Sequence, residues 1–145
     1  MLTGIHPLLT GELLRHLDDM GHSDAVVVAD AHFPAHALGR RVLSMPGTTT
    51  PAVLAAVRSV LPLDDTPALE LMRSADGEVL EVQRELLAAA GVDAAGARFA
   101  DRFGFYDLAA AAFLVIRTSE TRVYGNALLR KGVVNQQLDV KSISD

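Results

Sequence analysis

The sequence feature that most constrains the fold is an unbroken apolar run, Ala25–Ala29, with three valines in its centre and Asp30 directly after it. A strand with one face in water alternates apolar and polar residues, whereas an unbroken run of this length is typical of a strand covered on both faces. Ligands of such sheets settle beyond the carboxyl ends of the strands. Asp30 stands at an end of this kind and is therefore a first candidate binding residue.

Helical and strand patterns alternate along the rest of the chain. We expect Gly21 to end the first helix in a left-handed conformation, and Thr50 with Pro51 to cap and begin the second. Helices are predicted at 10–20, 50–61, 79–90 and 105–111, and strands at 25–29, 41–45, 69–73, 98–101, 113–118 and 127–130. The alternation predicts an α/β fold: a single three-layer α/β/α domain with one central mixed sheet of about six strands.

The length and composition are those of one globular domain. The chain has 145 residues, of which 50% are hydrophobic and 21% charged, enough to bury a core without disulfides or metal. No cysteine is present, which excludes thiol nucleophiles and cysteine-based metal sites. We expect residues 1–134 to form the domain and residues 135–145 a polar, loosely attached tail.

Charge and hydropathy argue against two classes of partner. The net charge of −5 and the absence of a basic stripe make nucleic acid an unfavoured partner. The longest apolar run, Leu108–Ile116, is well short of the roughly 20 residues that span a bilayer, and the N-terminus has no signal-peptide pattern. A cytoplasmic protein with no membrane partner is the expectation.

Histidines cluster at one end of the chain. All five precede residue 37, at His6, His16, His22, His32 and His36. His16 is expected on a solvated helix face, and His6 carries no signal. His22 lies in a tight turn between a helix and a strand, where a side chain can be held outward. From the residues alone, a functional and a structural role for His22 are equally supported.

A metal site is the next alternative, because Asp30, His32 and His36 bring a carboxylate and two imidazoles close together in sequence. Two histidines four residues apart ligate a metal well on a continuous helix, but Pro34 lies between His32 and His36 and would interrupt such a helix. An ordinary loop carboxylate explains Asp30 equally simply. We therefore expect no metal, and a metal hydrolase stays the least favoured function.

Two later clusters carry polar side chains that suit sugar hydroxyls. Arg102-Phe-Gly-Phe-Tyr106 places an arginine just before a predicted helix, and Tyr124-Gly-Asn126 places a phenol and a carboxamide around a glycine. Both of those groups donate and accept hydrogen bonds. A surface arginine and an ordinary β-turn are the simpler interpretations. No nucleophile elbow, phosphate loop or dinucleotide fingerprint supports acyl, phosphoryl or hydride transfer.

Taken together, the clusters resemble the fucose mutarotases, which belong with the D-ribose pyranases in one wider group. The resemblance runs from about His6 to Val133 and rests on four motifs in order: Gly21-His22 with Asp24, Asp30-Ala-His-Phe-Pro-Ala35, Arg102-Phe-Gly-Phe-Tyr106, and Tyr124-Gly-Asn126 through Lys131-Gly-Val133. The fucose branch has Asp-Ala-His-Phe-Pro and Tyr-Gly-Asn where the ribose branch tends to have Asp-Ala-Gly-Leu-Pro and Tyr-Ala-Asn. This chain follows the fucose branch at both places.

The resemblance implies a sugar isomerase that interconverts the α and β anomers of L-fucose by acid/base-catalysed ring opening and reclosure, without a cofactor. It implies that His22 is the proton donor. It also implies that the sugar is bound by Asp30, Arg102, Tyr124, Gly125 and Asn126. Tyr124 is our candidate for a second acid–base group. The family assembles into rings, typically decamers, with sites near subunit boundaries.

Alternatives stay open at this point. D-ribose pyranase activity uses the same proton chemistry on another sugar, and a non-catalytic monosaccharide-binding module would bind without accelerating exchange. The roles of His32, His36 and the tail beyond residue 134, which the family does not usually carry, are undecided.

Overall fold

The computed structural model describes residues 1–65 and 67–135. Within these ranges the strands are β1 Ala25–Ala29, β2 Val42–Met45, β3 Leu69–Met72, β4 Ala97–Ala100, β5 Leu114–Thr118 and β6 Ala127–Arg130. They form one mixed sheet in the order β2-β5-β1-β6-β3-β4. Strand β6 runs antiparallel to both its neighbours, and every other pairing is parallel. The predicted central mixed sheet of about six strands is confirmed.

Helices cover both faces of this sheet. They are α1 Gly11–Asp19, α2 Ala35–Leu38, α3 Thr50–Arg58, α4 Glu81–Ala90 and α5 Arg102–Ala111, with a 3₁₀ turn at Ala94–Gly96. Helices α1, α3 and α4 pack on one face, and α2 and α5 pack on the other. The three-layer α/β/α architecture is thus confirmed. In the described part of the chain, no helix combines the length and apolar character needed to cross a membrane.

Strand β1 is the centre of both cores. Val26 and Val28 face the core beneath α1, α3 and α4, while Ala25, Val27 and Ala29 face the core beneath α2 and α5. All five residues are buried, which is why the sequence shows no polar alternation here. The strand is thereby fixed in place, and with it the position of Asp30 at its end.

Three local predictions need correction. Gly21 does not adopt a left-handed conformation: Met20 ends α1 with extended backbone, the Gly21 N–H donates to the Asp24 carboxylate (2.7 Å), and Ser23 has the positive φ of 70° instead. The cap of α3 is Thr49, one residue earlier than predicted, since its hydroxyl accepts the Ala52 N–H at 3.4 Å.

The third correction concerns the segment between β1 and β2, which was predicted as a loop. It contains the single-turn helix α2, in which the Leu38 N–H donates to the Pro34 carbonyl (3.1 Å). Proline lacks a backbone N–H, but the N–H groups at a helix start have no partner within the helix, so proline is tolerated at this position. Of the predicted tail, residues 136–145 lie outside the described residues, and the domain boundary at residue 134 stays a prediction.

Candidate active site

A cavity of about 350 Å³ opens at the edge of the sheet where β1 and β3 end and β6 begins. Its lining consists of Asp30, His32, Phe33, Met72, Arg102, Tyr106, Val123, Tyr124 and Asn126. Four of the five residues for which the resemblance implies sugar binding thus meet here, from three separate motifs: Asp30, Arg102, Tyr124 and Asn126. The volume is within the range of pockets that bind small molecules.

Strand directions explain this convergence. Because β6 is antiparallel to β1, with Ala127 opposite Val28, the residue that precedes β6 lies beside the residue that follows β1. Asn126 and Asp30 are thus neighbours although 96 positions separate them. Parallel β3 and β4 end at the same edge, and α5 begins there with Arg102.

Asp30 and Asn126 bind each other twice. The backbone N–H of Asp30 donates to Asn126 Oδ1 at 2.7 Å, and Asn126 Nδ2 donates to Asp30 Oδ2 at 3.0 Å. The other Asp30 oxygen accepts the backbone N–H of His32 at 3.0 Å. Burial raises the pKa of the Asp30 carboxyl, and the hydrogen bonds from His32 and Asn126 oppose this rise. Because a carboxylate has about four acceptor positions, Asp30 retains acceptor capacity for a ligand hydroxyl.

Tyr124 is held in an uncommon backbone conformation. Its φ is 60°, in the left-handed region that non-glycine residues rarely occupy. The next residue, Gly125, is buried, and a Cβ there would stand 3.0 Å from the Arg122 carbonyl oxygen and 3.1 Å from Val82 Cγ2. Gly125 does not line the cavity; its lack of a side chain lets the turn pack tightly underneath.

A charge network fixes the loop that carries Tyr124. Arg122 donates to both carboxylate oxygens of Glu120, at 3.0 Å each, and also pairs with Glu85 on α4. Glu120 is almost fully buried, and the Arg122 hydrogen bond lowers its pKa. Glu120 in turn raises the pKa of Arg122. The two-point pair with Glu120 braces the loop internally, and the contact with Glu85 ties the loop to α4.

Helix α5 supplies Arg102 and an aromatic wall. Asp101 caps the helix by accepting the Gly104 N–H at 2.6 Å. Tyr106 lies one turn after Arg102, so both side chains reach the cavity. Phe33 packs edge-to-face against Tyr106 with ring centroids 5.5 Å apart. Tyr106 is a cavity residue that was not predicted as one, although its i, i+4 spacing from Arg102 was a usable signal.

His22 lies elsewhere. His22 lies before the start of β1, whereas the cavity lies beyond the end of β1. Within one chain, the length of this strand, about 17 Å, therefore separates His22 from the cavity. The exposed imidazole Nε2 contacts Asp64 Oδ1 at 3.0 Å, and Ser23 Oγ donates to Asp64 Oδ2 at 2.7 Å. The Ser23 hydrogen bond, followed by the Asp65 N–H and His22, lowers the pKa of Asp64. Sequence reasoning did not find Asp64.

The remaining histidines divide between wall and surface. His32 lines the cavity, and its ring Nε2 contacts the Thr121 carbonyl oxygen at 3.1 Å. His36 is exposed on α2 and is not part of the lining. Among residues 1–65 and 67–135, no group of three histidine or carboxylate side chains is arranged to hold a metal ion.

Comparison with known proteins gives one consistent relationship. A profile of the RbsD / FucU transport protein family matches residues 3–134. An L-fucose mutarotase of Glaesserella parasuis serovar 5 (strain SH0165) is 39% identical over 140 residues, which cover 92% of this chain and 96% of that protein.

Solved structures agree. The fucose mutarotase of Streptococcus pneumoniae, crystallised with L-fucose, has a TM-score of 0.82 at 28% identity and covers 92% of this chain and 100% of its own. Bacillus subtilis RbsD, crystallised with D-ribose, has a TM-score of 0.72 at 25% identity, with 90% and 98% covered.

Proposed function

We propose that this chain, which belongs to the RbsD / FucU transport protein family, is a sugar isomerase. It would interconvert the α and β anomers of L-fucose. The observation that carries this proposal is the cavity that gathers Asp30, Arg102, Tyr124 and Asn126. Its lining combines carboxylate, guanidinium, phenol and carboxamide groups with an aromatic wall. Such a mixture binds a ring of hydroxyl groups with one apolar face.

The reaction needs proton transfer only. One group removes the proton from the anomeric hydroxyl while another protonates the ring oxygen, so that the bond from C1 to the ring oxygen breaks and the C1 carbonyl forms. Rotation of the carbonyl and the reverse transfers close the ring on the other face. No carbon–hydrogen bond breaks and no electrons leave the sugar, so the proposed chemistry calls for no cofactor or metal. Positioned acid–base groups contribute about 10²–10⁴-fold to such a step.

Asp30, Arg102 and Asn126 are proposed to orient the sugar hydroxyls, with the Gly125 backbone beneath them. Tyr124 is proposed as one acid–base group. The cavity holds a second phenol, Tyr106, so the two tyrosines can be compared directly. A Tyr124→Phe variant should lose far more exchange rate than Tyr106→Phe while still binding fucose. Full exchange by Tyr124→Phe would assign the proton transfer elsewhere.

His22 is proposed to act as proton donor in the cavity of a neighbouring copy. Within one chain it lies at the opposite edge of the sheet, exposed and held by Asp64. A contact between two different edges is heterologous, and heterologous contacts generate a ring when the rotation from one copy to the next closes. This agrees with the ring, typically decameric, that the resemblance implies, with sites near subunit boundaries. Asp64 would then orient the imidazole that enters the next cavity.

Mixing two inactive variants tests this arrangement. We expect His22→Ala and Asn126→Ala homo-oligomers each to lack exchange activity. In a hybrid co-assembled from equal amounts, about a quarter of the boundaries join an intact His22 to an intact cavity, so about a quarter of the activity should return. No recovery in verified hybrid rings would place both groups in the same subunit and contradict the proposal.

The activity itself is tested by exchange NMR of the anomeric protons of equilibrated L-fucose, with D-ribose in parallel. Faster anomer exchange on fucose that His22→Ala abolishes is the expected result. Preferential exchange of ribose pyranose and furanose forms would favour D-ribose pyranase. Binding without acceleration would leave a monosaccharide-binding module. The higher TM-score to the fucose mutarotase than to RbsD supports fucose.

Two further parts of the proposal concern context. A cytoplasmic location is proposed, since that is where free monosaccharides enter metabolism, and fractionation of cells that express the chain would test it.

Residues 1–134 are proposed as the catalytic domain, which agrees with the span of the family match. A chain truncated after residue 134 should keep wild-type exchange activity.

A further inference from the structure

Gln83 is a polar side chain, fully buried on helix α4, that takes no part in the proposed chemistry. Its carboxamide is nevertheless completely engaged. The oxygen Oε1 accepts the Leu80 N–H at the start of the helix (3.0 Å), and Nε2 donates to the carbonyl oxygens of Met72 (2.6 Å) and Tyr124 (3.4 Å). The side chain of Leu80 offers no acceptor, and Gln83 satisfies the backbone N–H of Leu80 at this helix start.

The two carbonyl groups belong to two residues of the cavity wall. Met72 ends β3, and Tyr124 belongs to the loop between β5 and β6. One amide group therefore ties together two segments that meet at the cavity but are 52 residues apart in the chain. Gln83 itself is not among the residues that line the cavity.

Tyr124 needs this kind of support. A non-glycine residue with a φ of 60° persists only where its surroundings hold it, because the conformation is disfavoured on its own. On the same helix, Val82 packs within 3.1 Å of where a Gly125 side chain would begin. Helix α4 thus supports the turn from below with an apolar contact at Val82 and a hydrogen bond at Gln83.

We propose that Gln83 is a positioning residue for the isomerisation, which holds the backbone of Tyr124 so that the phenol faces the sugar. The inference rests on the proposed function insofar as Tyr124 acts on substrate. A methionine at this position would fill nearly the same volume but donate nothing to the two carbonyls. A glutamate would keep the shape and place a carboxylate against them. The methionine removes the donor without opening a cavity, and an ionised glutamate does the same. A glutamate that burial keeps protonated retains one O–H donor, so the effect of Gln83→Glu should grow as pH rises.

The first experiment compares Gln83→Met and Gln83→Glu with Leu13→Ala, a variant that weakens the core at α1 and does not alter the lining of the cavity. All are assayed for fucose anomer exchange at a temperature where each is fully folded. We expect kcat/KM to fall about 10–100-fold for Gln83→Met, as a displaced catalytic group does, to fall less for Gln83→Glu where its carboxyl is protonated, and to stay at the wild-type value for Leu13→Ala. Gln83 variants with lowered Tm but wild-type kcat and KM would overturn the proposal.

A double-mutant cycle separates positioning of Tyr124 from a general effect on the cavity. If Gln83 acts through the phenol, Gln83→Met should cost little further activity in a Tyr124→Phe background. Equal fold losses in both backgrounds would contradict action through Tyr124.

A spectroscopic measurement makes the inference testable whatever the enzyme assay gives. The chain has two tyrosines, so 3-fluorotyrosine labelling yields two ¹⁹F signals that Tyr→Phe variants assign. Gln83→Met should shift and broaden the Tyr124 signal and leave that of Tyr106 in place. An unchanged Tyr124 signal would overturn the proposal, whereas a changed signal in a protein that does not catalyse fucose exchange would leave Gln83 as a positioning residue and contradict only the proposed function.

Discussion

The substitution Gly132→Ala should be unusually costly for a glycine that follows the last strand. A Cβ at this position would stand 2.2 Å from the Leu63 carbonyl oxygen and 2.5 Å from its carbonyl carbon. Both are backbone atoms, so no side chain can rotate away. Relief to ordinary contact distance requires a shift of about 1 Å between the two segments.

Two hydrogen bonds depend on the present spacing. The Gly132 N–H donates to the Pro62 carbonyl at 2.7 Å, and the Asp64 N–H donates to the Arg130 carbonyl at 3.0 Å. Losing them costs about 0.5–1.5 kcal/mol each, and forced overpacking adds about 1–3 kcal/mol, so the expected loss is roughly 2–6 kcal/mol. For a chain of this length that is a fall in Tm of roughly 6–18 °C. Asp64 moves with the segment, so the His22 contact and the exchange rate should suffer too.

Thermal unfolding at one fixed protomer concentration measures the effect. Gly11→Ala is the matched control, because a Cβ at this helical glycine meets no atom within 4 Å. It should be neutral or stabilise by up to about 1 kcal/mol through the smaller entropy of the unfolded chain. A Gly132→Ala protein that melts within about 2 °C of the wild type would refute the reasoning from close backbone approach.

Three further predictions concern the loops and the chemistry. Glu120→Gln should destabilise by roughly 1–2 kcal/mol at pH 7, because Arg122, which is itself partly exposed, loses a buried charged partner. The pKa of Glu120 in the folded state is lowered from its ordinary 4.5, so the carboxylate contributes to stability above that value and loses this contribution as the pH falls below it. Denaturant unfolding curves of the variant and the wild type should therefore converge in acid. A difference that stays constant with pH would contradict this. Asp101→Ala should cost about 1 kcal/mol by removing the α5 cap, as measured by urea unfolding, whereas Asp101→Asn should cost less. Treatment with EDTA should leave the fucose exchange rate unchanged; a loss that added divalent metal restores would contradict the metal-free mechanism.

The strands were predictable because their burial determines the local pattern of apolar residues. The predicted spans of β1 and β6 agree with the structure, and those of the other strands differ by a residue at one or both ends. Helix ends were less predictable. The first residues of α5 were missed because the Asp101 cap depends on a hydrogen bond to Gly104 rather than on apolar periodicity. Gly21 was misassigned because the Asp24 carboxylate satisfies its N–H without a left-handed turn.

The cavity was predictable in membership but not in geometry. Asp30, Arg102, Tyr124 and Asn126 stood out as motifs, yet their convergence depends on the antiparallel register that sets Ala127 opposite Val28. Strand direction and register are tertiary properties that no local pattern specifies. For the same reason the sequence could not reveal that His22 and the cavity lie at opposite edges of the sheet, or that Gln83 reaches the Tyr124 carbonyl.

The central place of β6 has a consequence for how the chain acquires its structure during synthesis. Of the six strands in the described ranges it is made last, yet it joins the β2-β5-β1 half of the sheet to the β3-β4 half. Until residues 127–130 leave the ribosome, both halves present an unpaired inner edge, and pairing β6 with β1 closes a loop of about 100 residues. Nascent chains that stall before this point should be exposed to edge-to-edge aggregation and depend on chaperones, whereas completion of β6 removes both open edges in one step.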